Sequence, residues 1–226
     1  MSRQVAAEAV LDQRLRSGAA ALGLNVTEDQ AARLLRYLGL LEKWNKVYNL
    51  TAIRDPRDML TQHLLDSLAV LSPLRRQTEG RSIRVLDVGS GGGLPGVVIS
   101  ICRPDIEVVC VDAVAKKVTF VRQVAAELGL ANLRAEHSRV EEMKPANAHV
   151  VVSRAFSSLR DMVTWTVDHL AADGVWMAMK GKLPEDEMVA LPPSVSVFHV
   201  EHLKVPELEA ERCIVWIRPS SSPTLS

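Results

Sequence analysis

Val85-Leu86-Asp87-Val88-Gly89-Ser90-Gly91-Gly92-Gly93-Leu94-Pro95-Gly96 is the stretch that decides the fold of this 226-residue chain. An apolar run of strand length breaks into glycine and restarts as a helix at a proline. Glycine lets backbone approach a ligand closely and tolerates positive φ. The helix that follows offers unpaired N–H groups at its start. An α/β sheet builds a nucleotide-type pocket in this way, at the carboxyl ends of its strands.

Outward from that turn, the chain alternates strand and helix. Ile83–Val88 is a predicted strand, Pro95–Cys102 a helix, and Ile106–Val111 a strand ending at Asp112. Val114, Val118, Val121, Ala125 and Leu128 form an apolar stripe on a second helix, read as core. Asn132–Glu136 and His149–Val152 are further strands, and Ser158–Leu170 a helix. Val175–Met179 is a fifth strand, with a short helix at Glu185–Ala190 after it. Val195–Val200 and Cys213–Ile217 have no helix-length segment between them and pair most simply as an antiparallel hairpin. The expectation is an α/β, doubly wound, seven-stranded Rossmann-like sheet with an antiparallel last strand.

Residues 1–80 read instead as a helical extension. Ala6–Leu22 is an amphipathic helix. Thr27 and Gln30 form a capping box that opens a helix carrying Leu34, Leu38, Leu41, Trp44 and Tyr48. Asp55-Pro56 opens a third, with Leu60, Leu64, Leu68 and Leu71 on one face. Pro73 and the polar stretch Arg75–Ser82 then separate an N-terminal helical region, 1–80, from the α/β domain, 81–226. The tail Ser220–Ser226 reads as frayed.

Composition narrows the class. Apolar residues make up 47%, ample for a core. No apolar run reaches the ~18 residues of a membrane span, and Met1–Leu24 does not read as a signal peptide. Cys102, Cys110 and Cys213 lack metal-ligand spacing and read as buried thiols of a reducing cytosol, so a cytoplasmic, membrane-free protein is expected. The formal net charge is +0 and the first 80 residues are nearly balanced. That argues against bulk electrostatic coating of nucleic acid and leaves room for a local basic patch.

Gly91-x-Gly93-x-x-Gly96 satisfies the dinucleotide fingerprint, with Asp112 about 20 residues on, where an acid holds a ribose diol. Two ligands fit: a nicotinamide dinucleotide and S-adenosyl-L-methionine. Three features favour the methyl donor. A carboxylate at Asp87, two residues before Gly89, suits a cationic methionine end and repels a pyrophosphate. Roughly 130 residues follow the loop, enough for one sheet but little for a dehydrogenase substrate domain. The terminal antiparallel hairpin suits a methyltransferase sheet. A purely structural glycine turn and a non-enzymatic RNA-binding factor are the other readings.

The chain resembles the class I S-adenosylmethionine-dependent methyltransferases, and more narrowly the RsmG (GidB) family of 16S ribosomal RNA guanine-N7 methyltransferases. The marks are Asn49-Leu50-Thr51-Ala52, His63-Leu64-Leu65-Asp66-Ser67, the glycine stretch from Asp87 to Gly96, Asp112 with Lys116-Lys117, Ser138-Arg139-Val140-Glu141-Glu142, Ser153-Arg154-Ala155-Phe156 and Lys180-Gly181. The family usually carries alanine or proline where this chain has Gly92, a harmless change in a turn that must be small.

The glycine loop is expected to line the donor at Gly89, Gly91 and Leu94, and the resemblance points specifically to Gly89 and Leu94. Asp112 is expected to bind the ribose hydroxyls or to be a helix N-cap. The resemblance makes Val140 and Glu141 adenine contacts, where the bland reading is a solvated turn. It favours donor binding by Arg154, which could instead pair with an RNA phosphate or form a structural ion pair. Phe156 is expected to stack on the target base or pack in the core. Lys180 and Lys182 are expected on RNA backbone, with Arg54, Lys116, Lys117 and Arg122 as further basic candidates. His63 and Asp66, one turn apart, face the site or form a structural pair. The implied acceptor is a guanine in the 530 loop of 16S ribosomal RNA, within the small subunit or an assembly intermediate, and the enzyme is expected to act as a monomer.

Omissions agree with a ring-nitrogen acceptor. The Asn/Asp-Pro-Pro-aromatic stretch that binds exocyclic amines is replaced by Ser153-Arg154-Ala155-Phe156. No cysteine lies near that loop to activate a pyrimidine carbon, and no metal-ligating cluster is evident. Guanine N7 carries a free in-plane lone pair and needs none of these.

Overall fold

The computed structural model describes residues 3–154 and 156–220, with the side chains of residues 3–5 left aside. Ala155, in the motif between Ser153 and Phe156, and residues 221–226 of the expected frayed tail lie outside the described residues.

The N-terminal part is helical: α1 (Arg3–Ala21), α2 (Glu28–Tyr48), α3 (Pro56–Met59), a π-helical turn (Leu60–Leu65), α4 (Asp66–Leu68) and α5 (Leu71–Gln77). The Thr27 capping box forms: its hydroxyl accepts from Gln30 N–H while the Gln30 side chain accepts from Thr27 N–H. Asn49 ends α2 at φ 49°, the left-handed stop that Asn tolerates. Asp55 caps α3, with Pro56 at its first position.

Two expectations change here. The third helix is not a regular α-helix: its middle widens into the π turn, burying Leu64 and Leu65 together with His63 and Asp66. Pro73 does not stop a helix. It sits in the first turn of α5, where its missing N–H costs nothing, and the helix runs on through Arg75 and Arg76.

The remainder builds one seven-stranded sheet in the order β3-β2-β1-β4-β5-β7-β6. The strands are β1 (Arg84–Val88), β2 (Glu107–Asp112), β3 (Leu133–His137), β4 (Ala148–Ser153), β5 (Leu170–Lys180), β6 (Val195–Leu203) and β7 (Arg212–Pro219). The first five are mutually parallel. β7 runs antiparallel to β5 and to β6, as the hairpin reading requires. The helices between strands are α6 (Gly96–Cys102), α7 (Ala115–Leu128), α8 (Leu159–Thr166) and α9 (Glu185–Val189).

Central strands are apolar throughout because both faces are covered. On one face Val85, Val97, Val108, Phe120 and Val121 join Leu15, Leu34, Leu41, Leu64 and Leu68 of the N-terminal helices in a single cluster. On the other, Leu86, Val88 and Val151 pack with Leu159, Met162 and Trp176 against α8. Trp176 is buried whole because its indole N–H donates to Thr166 Oγ1 at 2.7 Å.

β5 is twice the expected length. It starts at Leu170 opposite Ala148, shifts register, and resumes at Val175 opposite Val150. Gly174 sits at the shift, where a Cβ would lie 2.7 Å from the Ala148 carbonyl oxygen. Val114 is also not core: it is the exposed residue ahead of α7, and Val124 fills the stripe instead.

Candidate active site

The site lies at the carboxyl ends of β1, β2, β4 and β5. Two cavities meet at Gly89. One, of about 200 Å³, is lined by Val88, Gly89, Asp112, Val140, Glu141 and Phe156, among others. The other, of about 180 Å³, includes Thr51, His63, Gly89, Gly91, Leu94 and Arg154. Gly89 and Gly91 adopt φ of +66° and +58°, and a Cβ at either would meet nothing within 4 Å. The backbone here faces open space, where a ligand can lie against it.

The glycine loop is held from three sides. Asp112, buried at the end of β2, accepts from Gly91 N–H at 3.0 Å and from Val114 N–H at 2.9 Å. Lys117 approaches the same carboxylate at 3.6 Å and lines the second cavity. Tyr37, wholly buried on α2, donates its hydroxyl to the Gly92 carbonyl at 2.7 Å. Burial pushes the Tyr37 phenol far up, so it remains a donor at any working pH. Ser153 ties β4 to β1 by donating to the Val88 carbonyl at 2.8 Å.

Asp87 requires a correction. Its carboxylate does not line either cavity. It is fully buried under the start of α6, where Oδ2 accepts from Gly96 N–H at 2.8 Å and Oδ1 has no hydrogen-bond partner. A Cβ at Gly96 would fall 2.6 Å from Cys110 Sγ and 2.8 Å from Asp87 Oδ2, which is why glycine stands there. Burial raises the Asp87 carboxyl to about 7. Asp87 therefore does not face a pyrophosphate or a methionine end, contrary to the expectation from its position before Gly89; it anchors the loop through Gly96.

A third cavity, of about 350 Å³, opens beside the second and shares His63 and Arg154 with it. Lys180, Gly181, Arg212, Gln62 and Asp66 complete most of its wall. Arg154 Nη1 donates to the Gln62 carbonyl at 3.0 Å and lies 3.5 Å from Asp66 Oδ2. Lys180 Nζ donates to both Glu187 oxygens, at 3.0 and 2.8 Å.

His63 and Asp66 are both buried but have separate partners. The carbonyl of Gln62, 3.1 Å from His63 Nδ1, can only accept, so Nδ1 carries the proton. Nε2 then accepts from the Thr51 hydroxyl at 3.0 Å. Burial, and then the Arg154 charge, lowers the His63 imidazole to about 4. The ring is neutral at pH 7.

The other expected residues divide. Val140 and Glu141 line the first cavity, and His169 meets the Val140 carbonyl at 2.9 Å. Phe156 lies on this same side, edge-on to Trp165 at 5.5 Å, and does not line the cavity that Lys180 lines. Lys182 is exposed and lines none of these three cavities, as are Arg54 and Lys116; Arg122 donates to the Ala135 carbonyl. Among the described residues, no group of three or more His, Cys, Asp or Glu is arranged to hold a metal ion. Cys102 is pushed up to about 12 by burial, and Cys110 well above its usual value.

Sequence reasoning missed Arg212, Tyr37 and Trp165. Arg212 follows a polar loop 58 positions from Arg154 in the chain, and only the β5–β7 pairing brings it to the site. Tyr37 left a signal: a phenol on an apolar helix face needs a buried acceptor.

A family profile described as "GidB: rRNA small subunit methyltransferase G" matches residues 30–215. A protein named "Ribosomal RNA small subunit methyltransferase G" from Methylibium petroleiphilum is 59% identical over 207 residues, covering 92% of this chain and 94% of its own. One of the same name from Acidovorax ebreus is 57% identical over 217 residues, covering 92% and 96%. Among solved structures, Burkholderia thailandensis 1,6-didemethyltoxoflavin-N1-methyltransferase, bound to 1,6-didemethyltoxoflavin and S-adenosylhomocysteine, superposes with a TM-score of 0.56 at 16% identity. It covers 82% of this chain and 90% of that one. TrmN from Thermus thermophilus gives 0.51 at 16%, covering 71% and 53%. At that identity the structural likeness speaks for the fold.

Proposed function

The chain belongs to the GidB family of small-subunit ribosomal RNA methyltransferases, and on that premise we propose that it methylates N7 of a guanine in the 530 loop of 16S ribosomal RNA, with S-adenosyl-L-methionine as donor. The observation that carries the donor's placement is the meeting of two cavities at side-chain-free Gly89. The donor set fits the group. The first cavity offers Asp112 to a ribose diol, and Val140 and Glu141 to an adenine. Each Asp112 oxygen already accepts one backbone N–H and keeps a lone-pair site for a hydroxyl. The second offers Gly91 and Leu94 to a methionine chain and Arg154 to its carboxylate.

When bound, S-adenosyl-L-methionine supplies an electrophilic sulfonium methyl. The protein's part is to bind, aim and keep water out. Guanine N7 is unprotonated at neutral pH, so no side chain has to remove a proton first. Neutral His63 and buried Asp87 do not act as bases in this reading; they hold Thr51, Gln62 and Gly96 where the cavities need them. Orientation of two reactants alone lowers such barriers by roughly 7–11 kcal/mol.

The acceptor enters through the 350 Å³ cavity, whose wall at His63 and Arg154 is common to the donor side. Lys180, with Lys182 on the exposed loop beyond it, faces RNA backbone. Phe156 belongs with Trp165 at the adenine end. N7 of a stacked A-form guanine faces a groove too narrow to enter, so a looped-out base is required. In this reading residues 1–80 wall the donor site through Leu41, Leu50 and Thr51, and residues 81–226 carry the sheet. The enzyme acts as a monomer on the small subunit or an assembly intermediate.

The test is incubation with radiolabelled donor and hypomethylated small subunits, in parallel with naked 16S RNA. The subunit is expected to accept label and the naked RNA poorly. Equal labelling of both would overturn the subunit preference.

A further inference from the structure

Asp66 follows the π turn as the first residue of α4, with its carboxylate buried, and each of its oxygens faces a different arginine. Oδ1 accepts from Arg212 Nε at 2.8 Å, and Oδ2 lies 3.5 Å from Arg154 Nη1. Both guanidinium side chains stay about a quarter exposed, at 24% and 26%. Arg212 also donates from Nη1 to the Glu211 carbonyl, and Arg154 from Nη1 to the Gln62 carbonyl. A guanidinium has five N–H donors, so each keeps a face of unspent ones.

The two arginines do not serve one space. Arg154 lines both the donor cavity and the 350 Å³ cavity, whereas Arg212 lines only the latter. Among the described residues lining that larger cavity, Arg154, Lys180 and Arg212 are cations and Asp66 is the one carboxylate. Glu187 neutralises Lys180 from outside the wall, and His63 is uncharged. One positive charge is left over. The donor next door is itself cationic, so an anion is the favoured occupant of this end. The chemistry is an oxyanion with two available sources: the donor's methionine carboxylate and an RNA phosphodiester.

We propose that Asp66 is a positioning residue that sorts these two anions: it turns Arg154 toward the donor carboxylate and Arg212 toward the phosphodiester adjoining the acceptor guanosine. The proposal rests on the RNA methyltransferase reading. A buried carboxylate between two half-buried guanidiniums fixes their separation, and with it the distance between methyl and base. Each guanidinium meets the carboxylate through one nitrogen, Arg212 Nε and Arg154 Nη1, which leaves the rest of each rigid, planar fork turned toward the cavity.

The experiment uses the full chain with hypomethylated small subunits. Arg212→Gln, Arg212→Lys and Asp66→Asn are compared with wild type in donor Kd by calorimetry, in KM for the subunit, and in the salt dependence of subunit binding. Arg212→Gln is expected to raise KM about tenfold, the loss of one charge-assisted contact. It is also expected to lower the slope of log affinity against log salt by roughly 0.7–0.9, with donor Kd changing less than about twofold. Arg212→Lys restores the slope but only part of KM. Asp66→Asn raises both donor Kd and KM. A normal KM and slope in Arg212→Gln, or a donor Kd that rises in step with KM, overturns the proposal. If Asp66→Asn does not fold, the Arg212 pair decides alone. Failure of wild type to methylate the subunit would instead overturn the underlying reading.

Discussion

At the scale of single residues, the glycines differ in what they can lose. Gly92 has no unusual φ, and a Cβ there meets the flexible Leu41 side chain at 3.1 Å. Gly92→Ala should fold with stability unchanged or raised by about 0.4–1 kcal/mol, measured by urea unfolding. Gly91→Ala keeps its methyl clear of protein but strains φ +58°, costing about 1–2 kcal/mol. Its donor affinity should fall as well, since the methyl enters ligand space; unchanged affinity would place the donor elsewhere. His63 gives a pH signature. Its folded value near 4 lies below the unfolded 6.5, so its contribution is full above about pH 6.5 and is lost as pH falls toward 4. Asp87, raised to about 7, works in the opposite direction over the same range. The difference between wild type and His63→Gln isolates the histidine: wild type should lose roughly 3 kcal/mol more on acidification.

At the scale of elements, α2 supports the glycine loop through one hydroxyl. Tyr37→Phe removes the bond to Gly92 and leaves its carbonyl without that donor, a loss of about 1 kcal/mol in thermal unfolding. Donor Kd should rise several-fold in calorimetry. A drop in Tm without a change in Kd would make the contact purely structural. Elements were legible where local chemistry decides them. The Thr27 cap, the Asp55-Pro56 start and the strand-to-glycine turn are spelled out in adjacent residues. The π turn was not, because Leu60, Leu64 and Leu68 fit a regular helix equally well and only tertiary packing makes room for buried His63 and Asp66. The length of β5 was hidden for a similar reason: Ala171, Ala172 and Asp173 do not read as strand, and the Ala148–Leu170 pairing that recruits them is non-local. Asp87 was misplaced because a strand's alternation fixes which face a side chain takes, and here that face lies under α6.

At the scale of the molecule, neutral charge and a basic, half-buried cavity point the same way: recognition of a specific local shape rather than attraction to any polyanion. No helix among the described residues is long and apolar enough to cross a membrane. The proposed donor half of the site follows from the glycine turn; the proposed acceptor half depends on β7 returning beside β5 to deliver Arg212, which no local pattern announces. The central claim is the acceptor atom. Small subunits labelled with radioactive methyl by this enzyme should be cleaved chemically at N7-methylated guanine and mapped by primer extension. A single labelled guanine in the 530 loop, carrying the methyl on N7 and yielding a cleavage product, is the predicted result. Label on an exocyclic nitrogen, on carbon or on ribose would contradict it.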